Sequence, residues 1–123
     1  MDLVFAGAVL DLGVRDLRRA EEFYTTLLGR GPDLRPQPDQ AEWRLHRHPE
    51  VAFRITADHE SAGYGKLALG VRDLAAERSR LLRQWPGLPE PTEKPGVIAL
   101  LHLSDPDANA VTLWQDLLGS RHA

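Results

Sequence analysis

Five histidines, His46, His48, His59, His102 and His122, are the residues of this 123-residue chain best suited to metal binding or acid–base work. A neutral imidazole ligates divalent metals and titrates near neutral pH. His46 and His48 stand two apart on one strand face, and with His102 from the other half of the chain they could form a displaced metal or acid–base site. Their surroundings favour a plainer reading. His46 and His48 approach a hairpin among Arg44 and Arg47, a setting for a solvated polar face, while His59 falls in a linker and His122 in a terminal tail. His102 interrupts the apolar run VIALLHL and is the histidine retained as a candidate, either ligand-facing or hydrogen-bonded in the core. Nucleophilic chemistry has less support. There is no cysteine, hence no thiolate, disulfide or cysteine zinc site. None of Ser61, Ser79, Ser104 and Ser120 lies in a G-x-S-x-G setting. GYGK at 63–66 precedes a strand, whereas a phosphate-cradling loop opens a helix.

The composition narrows the partners. With 42% hydrophobic and 27% charged residues the chain is an ordinary globular domain spanning 1–123. A net charge of -3 supplies no basic footprint for nucleic acid or an anionic membrane surface. No apolar run approaches the length of a membrane span. The start, MDLVFAGAVLDLGV, lacks a basic n-region and is interrupted by Asp2 and Asp11, so it reads as a strand and not as a signal peptide. Cytoplasmic residence is the default expectation.

The elements that position these side chains come in two passes. LGVRDL occurs at residues 12–17 and again at 69–74. In the first pass Ala8 to Val14 alternates as a strand does, Asp16 is a helix N-cap, and Leu17, Ala20, Tyr24, Leu27 and Leu28 form one apolar helical face that Gly29 closes. In the second pass Lys66 to Val71 is the strand, Asp73 the cap, and Leu74, Leu81, Leu82 and Trp85 the stripe before Pro86 and Gly87. A proline-rich connection follows each helix, RGPDLRPQPDQ at 30–40 and PGLPEPTEKPG at 86–96, with room for one more short strand in each. Hairpins come next: Glu42 to His48 with Val51 to Thr56, turning at His48-Pro49-Glu50, and Val97 to Leu103 with Ala110 to Gln115, turning at SDPDAN. The pattern is a duplicated β-α-β-β module, with halves at about 1–58 and 64–123 joined by ADHESAGYG.

VRDLRRAEEFYTTLLG, the second VRDL and DPDANAVTLWQ together resemble the vicinal oxygen chelate superfamily, which includes glyoxalase, bleomycin-resistance proteins and ring-cleaving dioxygenases. The resemblance covers nearly the whole chain. It implies an α+β fold of two tandem βαβββ modules, whose strands curl into a mixed-sheet trough with helices on the outer face, completed by a second chain in a homodimer. It also implies metal-ligand positions near the start of each module's first strand and in its last strand, which fall on Val9, Ala52, Lys66 and Thr112. None is a good ligand, because valine and alanine carry no donor and lysine is normally protonated. No metal and no cofactor are therefore expected. Ala108 stands where the family's turn has glycine, and alanine fits a tight turn there only with negative φ.

Strand alternation then sorts the faces. Leu10, Leu12 and Val14 should pack on the helices, which turns Val9, Asp11 and Gly13 to the trough. Lys66, Ala68 and Gly70, Ala110, Thr112 and Trp114, and Ala52 with Arg54 share that side. Trp114 has trough parity, Trp43 is divided evenly between trough and core, and Trp85 caps the second helical stripe. An apolar floor of Trp114, Trp43, Val9, Ala52 and Ala68, with Asp11, Arg54, Lys66, Thr112 and His102 at polar ends, would suit a planar ligand. The expectation is a homodimeric small-molecule-binding protein of the drug-resistance type that sequesters a planar aromatic or hydrophobic metabolite. Two alternatives stay open. One is a lyase, isomerase or ring-cleaving enzyme with a metal on non-standard ligands, or with Asp11, Lys66 and His102 as acid–base groups. The other is a dimerisation module with a filled trough.

Overall fold

Each half of the chain runs from a strand through an aspartate cap into a helix. The computed structural model describes residues 1–45 and 47–119, so His46 and His122 lie outside the described residues. In chain order the elements are β1 (Ala8–Val14), α1 (Leu17–Leu28), β2 (Gln40–Leu45), β3 (His48–Ala57), β4 (Lys66–Gly70), α2 (Leu74–Leu82), β5 (Thr92–Lys94), β6 (Ile98–Ser104) and β7 (Ala110–Asp116). The Asp16 carboxylate accepts the Arg19 N–H at 3.2 Å, and Asp73 accepts that of Ala76 at 3.0 Å, so each occupies N–H groups a helix start leaves unpaired. Gly29, at φ 82°, ends α1 by donating its N–H to the Thr25 carbonyl.

Two sheets result, ordered β1-β3-β2 and β4-β7-β6-β5. β1 runs parallel to β3 and β4 parallel to β7, and the remaining pairs are antiparallel. The short extra strand expected in each proline-rich connection is present as β5 in the second half and as an isolated bridge between Leu34 and Glu42 in the first. With that bridge the two halves share one strand order, which makes the molecule an α+β fold of tandem modules. Helix α1 lies over β2 and β3, and α2 over β6 and β7. Their apolar faces close one continuous core that includes Leu12, Val14, Tyr24, Trp43, Phe53, Ile55, Leu81, Leu101, Val111 and Leu113. Leu10 shares the parity of Leu12 but remains 40% exposed, because α1 covers the inner strands rather than the outer strand β1. No helix among the described residues is long and apolar enough to cross a membrane.

Two turns depart from expectation. The first hairpin reverses before 48–50: Leu45 already pairs with His48, Arg47 has φ 69°, and the register shifts between Arg44 and Leu45. Position 49 is thus in strand β3 but outside its register with β1, which starts at Val51, and a proline is tolerated where the ladder needs no donor. The second departure is Ala108, whose φ is 69° rather than negative. A Cβ at positive φ costs on the order of 1 kcal/mol. Ala108→Gly is therefore expected to raise stability by about 0.5–1 kcal/mol, read as a higher urea midpoint with an unchanged slope.

That second turn, DPDAN, joins the modules. The Asp105 carboxylate accepts the Tyr24 hydroxyl at 2.7 Å, the N–H groups of Asp107 and Asn109 at 2.9 Å, and Asn109 Nδ2 at 2.9 Å. Asn109 Oδ1 accepts N–H from Gly63 at 3.0 Å and Gly65 at 2.8 Å, while its Nδ2 donates to the Gly13 carbonyl at 3.0 Å. Burial, and then the bonded Asp105 carboxylate, push the Tyr24 phenol above its ordinary range, so it stays a donor.

Candidate functional site

Strand register places most of the candidate side chains on one face. In the first sheet Val9 pairs with Ala52, Asp11 with Arg54 and Gly13 with Thr56, and β2 sets Arg44 opposite Ala52, Glu42 opposite Arg54 and Gln40 opposite Thr56. In the second, Lys66 pairs with Ala110, Ala68 with Thr112 and Gly70 with Trp114, and β6 sets His102 opposite Thr112 and Leu100 opposite Trp114. Partners in a ladder point the same way. Val9, Asp11, Ala52, Arg54, Lys66, Thr112 and Trp114 therefore turn from the helices, as the alternation predicts, and His102, whose face the sequence left open, turns with them.

Trp43 does not line the trough. It is 0% exposed on the helix side, 5.7 Å from the Phe53 ring and 6.4 Å from Tyr24, with its indole N–H donating to the Arg30 carbonyl at 2.9 Å. The reason is local. Arg30 Nη1 and the Arg44 N–H both bond Asp33, each at 2.6 Å, and Arg30 Nη2 bonds the Arg44 carbonyl. These bonds, first that of Arg30 and then that of the Arg44 N–H, hold the Asp33 carboxyl below its usual range and tie the loop before β2 to one register.

The two halves of the trough differ in chemistry. The first is a charge network centred on Glu42, a residue that sequence reasoning passed over although it is only 2% exposed. Its Oε1 accepts Arg54 Nε at 3.0 Å and Nη2 at 2.8 Å, and Arg44 Nη2 stands 3.3 Å from Oε2. Asp11 lies 3.8 Å from Arg54 and accepts the Thr56 hydroxyl at 2.9 Å, which in turn accepts Gln40 Nε2 at 3.3 Å. The second half carries the Trp114 indole with Arg72, Gln115 and Asp116 beside it, and a 3.1 Å contact between His102 Nδ1 and Thr112 Oγ1.

Three separate cavities take in Trp114, Val9, Asp11, Lys66 and His102, where one shared trough site was expected, and Ala52, Arg54 and Thr112 line none of the three. A cavity of about 630 Å³ is lined by Trp114, Gly70, Val71, Arg72, Gln115 and Asp116. Trp114 is half-buried there, lying across Gly70: a Cβ at position 70 would approach its ring to 2.8 Å. A second cavity, about 300 Å³, sits at the seam between β1 and β4 and brings Val9, Asp11, Lys66 and Ala68 together. His102 lines a third, about 440 Å³, beside Phe23 and Trp85. Gly13 is no open wall, since the linker's Ser61 packs where its Cβ would be. His48 pairs at 3.6 Å with Glu50, and His59 is exposed in the linker.

The donor set does not suit a metal. Among the described residues no three of His, Asp and Glu converge to hold one. Val9, Ala52, Lys66 and Thr112 offer no imidazole or carboxylate, and the nearby carboxylates of Asp11 and Glu42 already face arginine.

Tandem modules, strand order and outer helices together define the class: this is the glyoxalase/bleomycin-resistance fold of the vicinal oxygen chelate proteins. No family model and no curated protein matches the sequence. Among solved structures, a glyoxalase/bleomycin resistance protein from Catenulispora acidiphila superposes with a TM-score of 0.78 at 23% identity, covering 90% of this chain and 98% of that one. TnmS3, an antibiotic-binding protein from Streptomyces sp. CB03234, gives 0.68 at 22% identity over 94% and 99%. A lactoylglutathione lyase from Agrobacterium tumefaciens gives 0.70 at 17% over 91% and 94%.

Proposed function

We propose that this chain is a metal-independent small-molecule-binding protein of the bleomycin-resistance-like type, which sequesters a planar aromatic or hydrophobic metabolite by stacking it on Trp114. The observation that carries the reading is the indole itself, half-buried over Gly70 at the wall of a cavity of about 630 Å³. An aromatic face beside a few polar groups, here Arg72, Gln115 and Asp116, is the common make-up of a small-molecule site. TnmS3, described as an antibiotic-binding protein, shares the fold. The working unit is a homodimer: Leu3, Val4 and Phe5 are 88%, 91% and 62% exposed, an apolar surface that a second copy would cover. The proposed setting is the cytoplasm, where a chain without cysteine loses nothing to a reducing environment.

Two measurements test this. Metal content of the purified protein is expected to be far below stoichiometric, and zinc, nickel and manganese are expected to leave its melting temperature unchanged, since only a ligand of the folded state raises it. Stoichiometric metal would overturn the reading. A fluorescence titration with planar aromatic compounds is expected to give saturable quenching, and Trp114→Ala to weaken binding by about 2 kcal/mol, roughly thirtyfold. Unaltered affinity in that variant would move the site elsewhere.

A second reading, an acid–base enzyme, is favoured by one observation: Asp11 and Lys66 line the same seam cavity. It requires that a bound compound be recovered chemically changed and that Lys66→Met abolish the change.

A further inference from the structure

Beyond α2 the chain returns alongside β6 and pairs only with its start. β5 engages only Ile98, Ala99 and Leu100. Continuing the same register sets Glu90 opposite His102 and Leu88 opposite Ser104, yet no backbone hydrogen bond joins these residues. One cause is visible. Arg78 holds the loop towards α2, its Nε donating to the Pro89 carbonyl at 3.0 Å and its Nη2 to the Leu88 carbonyl at 3.4 Å and Glu90 Oε1 at 3.3 Å.

The phase of the ladder tells which β6 groups this leaves open. The Leu117 N–H bonds the Val97 carbonyl at 2.9 Å and the Asp105 N–H bonds that of Asn109 at 3.0 Å, so odd-numbered residues of β6 turn their amide groups to β7. Antiparallel strands alternate, so His102 and Ser104 turn theirs to the unpaired edge. Between that edge and the loop lies the cavity of about 440 Å³ lined by His102, Ser104, Leu88, Pro89, Phe23 and Trp85. Phe23 and Trp85 stack 4.7 Å apart at 17° and give it an aromatic wall.

We propose that this slot is a second binding site, independent of Trp114, for a short extended peptide with an apolar side chain. An extended chain presents N–H and C=O to one side at every second residue, about 7 Å apart, the spacing at which His102 and Ser104 present theirs. A segment of about three residues would complete the sheet where the loop held by Arg78 does not. Its apolar side chain would rest on Phe23 and Trp85. Edge pairing supplies orientation, and burial of that side chain supplies most of the affinity.

The test uses the full-length protein, labelled with nitrogen-15, and the blocked tripeptide acetyl-Val-Phe-Val-methylamide. Saturable shifts are expected at the amides of His102 and Ser104 and at the Trp85 indole, but not at the Trp114 indole. A depsipeptide analogue, with esters in place of the backbone amides, keeps the shape and lacks the donors, so it is expected to bind about tenfold more weakly. Equal binding of the two compounds, shifts confined to Trp114 and Gly70, or no shift at about millimolar peptide would each overturn the proposal.

Discussion

Trp43→Ala is expected to cost about 4 kcal/mol of folding stability while leaving the Trp114 cavity intact. The indole is fully buried between Tyr24 and Phe53. Truncation removes its apolar contacts, opens a cavity that tightly packed neighbours fill only in part, and leaves the Arg30 carbonyl without its 2.9 Å donor. Against a total stability of roughly 5–15 kcal/mol, that is a large fraction. Urea denaturation is the measurement, with Trp43→Phe as the milder companion, expected to keep most of the packing and lose the hydrogen bond. A loss below about 1 kcal/mol would mean that the side chain is not in the core. Together with Trp114→Ala, the experiment separates two tryptophans that look alike in composition. One should govern melting and the other ligand binding.

The face of Trp43 is written in the sequence over the full length of β2. Ala41, Trp43 and Leu45 alternate with Gln40, Glu42 and Arg44, which puts the indole with the apolar set and Glu42 with the polar one. A strand that begins only at Glu42 is too short to carry that alternation. The duplicated plan, the two aspartate caps, the Gly29 stop and the trough parity of Asp11, Arg54, Lys66 and Trp114 were legible because each rests on contacts within a few residues or on strict alternation. Long-range arrangement was not. That Glu42 is locked by Arg54, twelve residues away, and that Lys66 shares a cavity with Asp11, depend on strand pairing and on the approach of β1 to β4. Nor does local composition show that Trp114, the Asp11–Lys66 pair and His102 line three different cavities. The reversal falls before Pro49, which looks like a turn residue, because Leu45 pairs with His48 across a register shift that only the β2–β3 ladder sets.

The contrast between the trough's halves bears on what it can hold. Arginine and carboxylate in the first half already satisfy one another, with Glu42 between Arg54 and Arg44, so a charged ligand would have to break existing pairs. The second half offers an indole face bordered by Arg72, Gln115 and Asp116. A largely apolar, planar compound therefore loses less on entry than an anion would. The same asymmetry argues against transferring a metalloenzyme's chemistry on fold alone.

Asn109→Ala is expected to lower stability by about 3 kcal/mol, an effect that comes from polar groups rather than lost volume. The side chain is 0% exposed and serves both modules at once, through the Gly63 and Gly65 amides, the Gly13 carbonyl and the Asp105 carboxylate. Alanine would strand those groups in a site with little room for water, and each buried unpaired group costs on the order of 1–3 kcal/mol before relaxation. For a domain of this size the loss corresponds to a fall in melting temperature of roughly 10 °C. Hydrogen exchange gives the specific signature. The amides of Gly63 and Gly65, whose bonds run to the Asn109 side chain, should lose protection first, while those of β6 and β7 should follow only the global loss of stability. Uniform acceleration across the chain would show that the turn is merely one part of a single cooperative core. Selective loss at the linker would identify Asn109 as the bolt that holds the second module to the first.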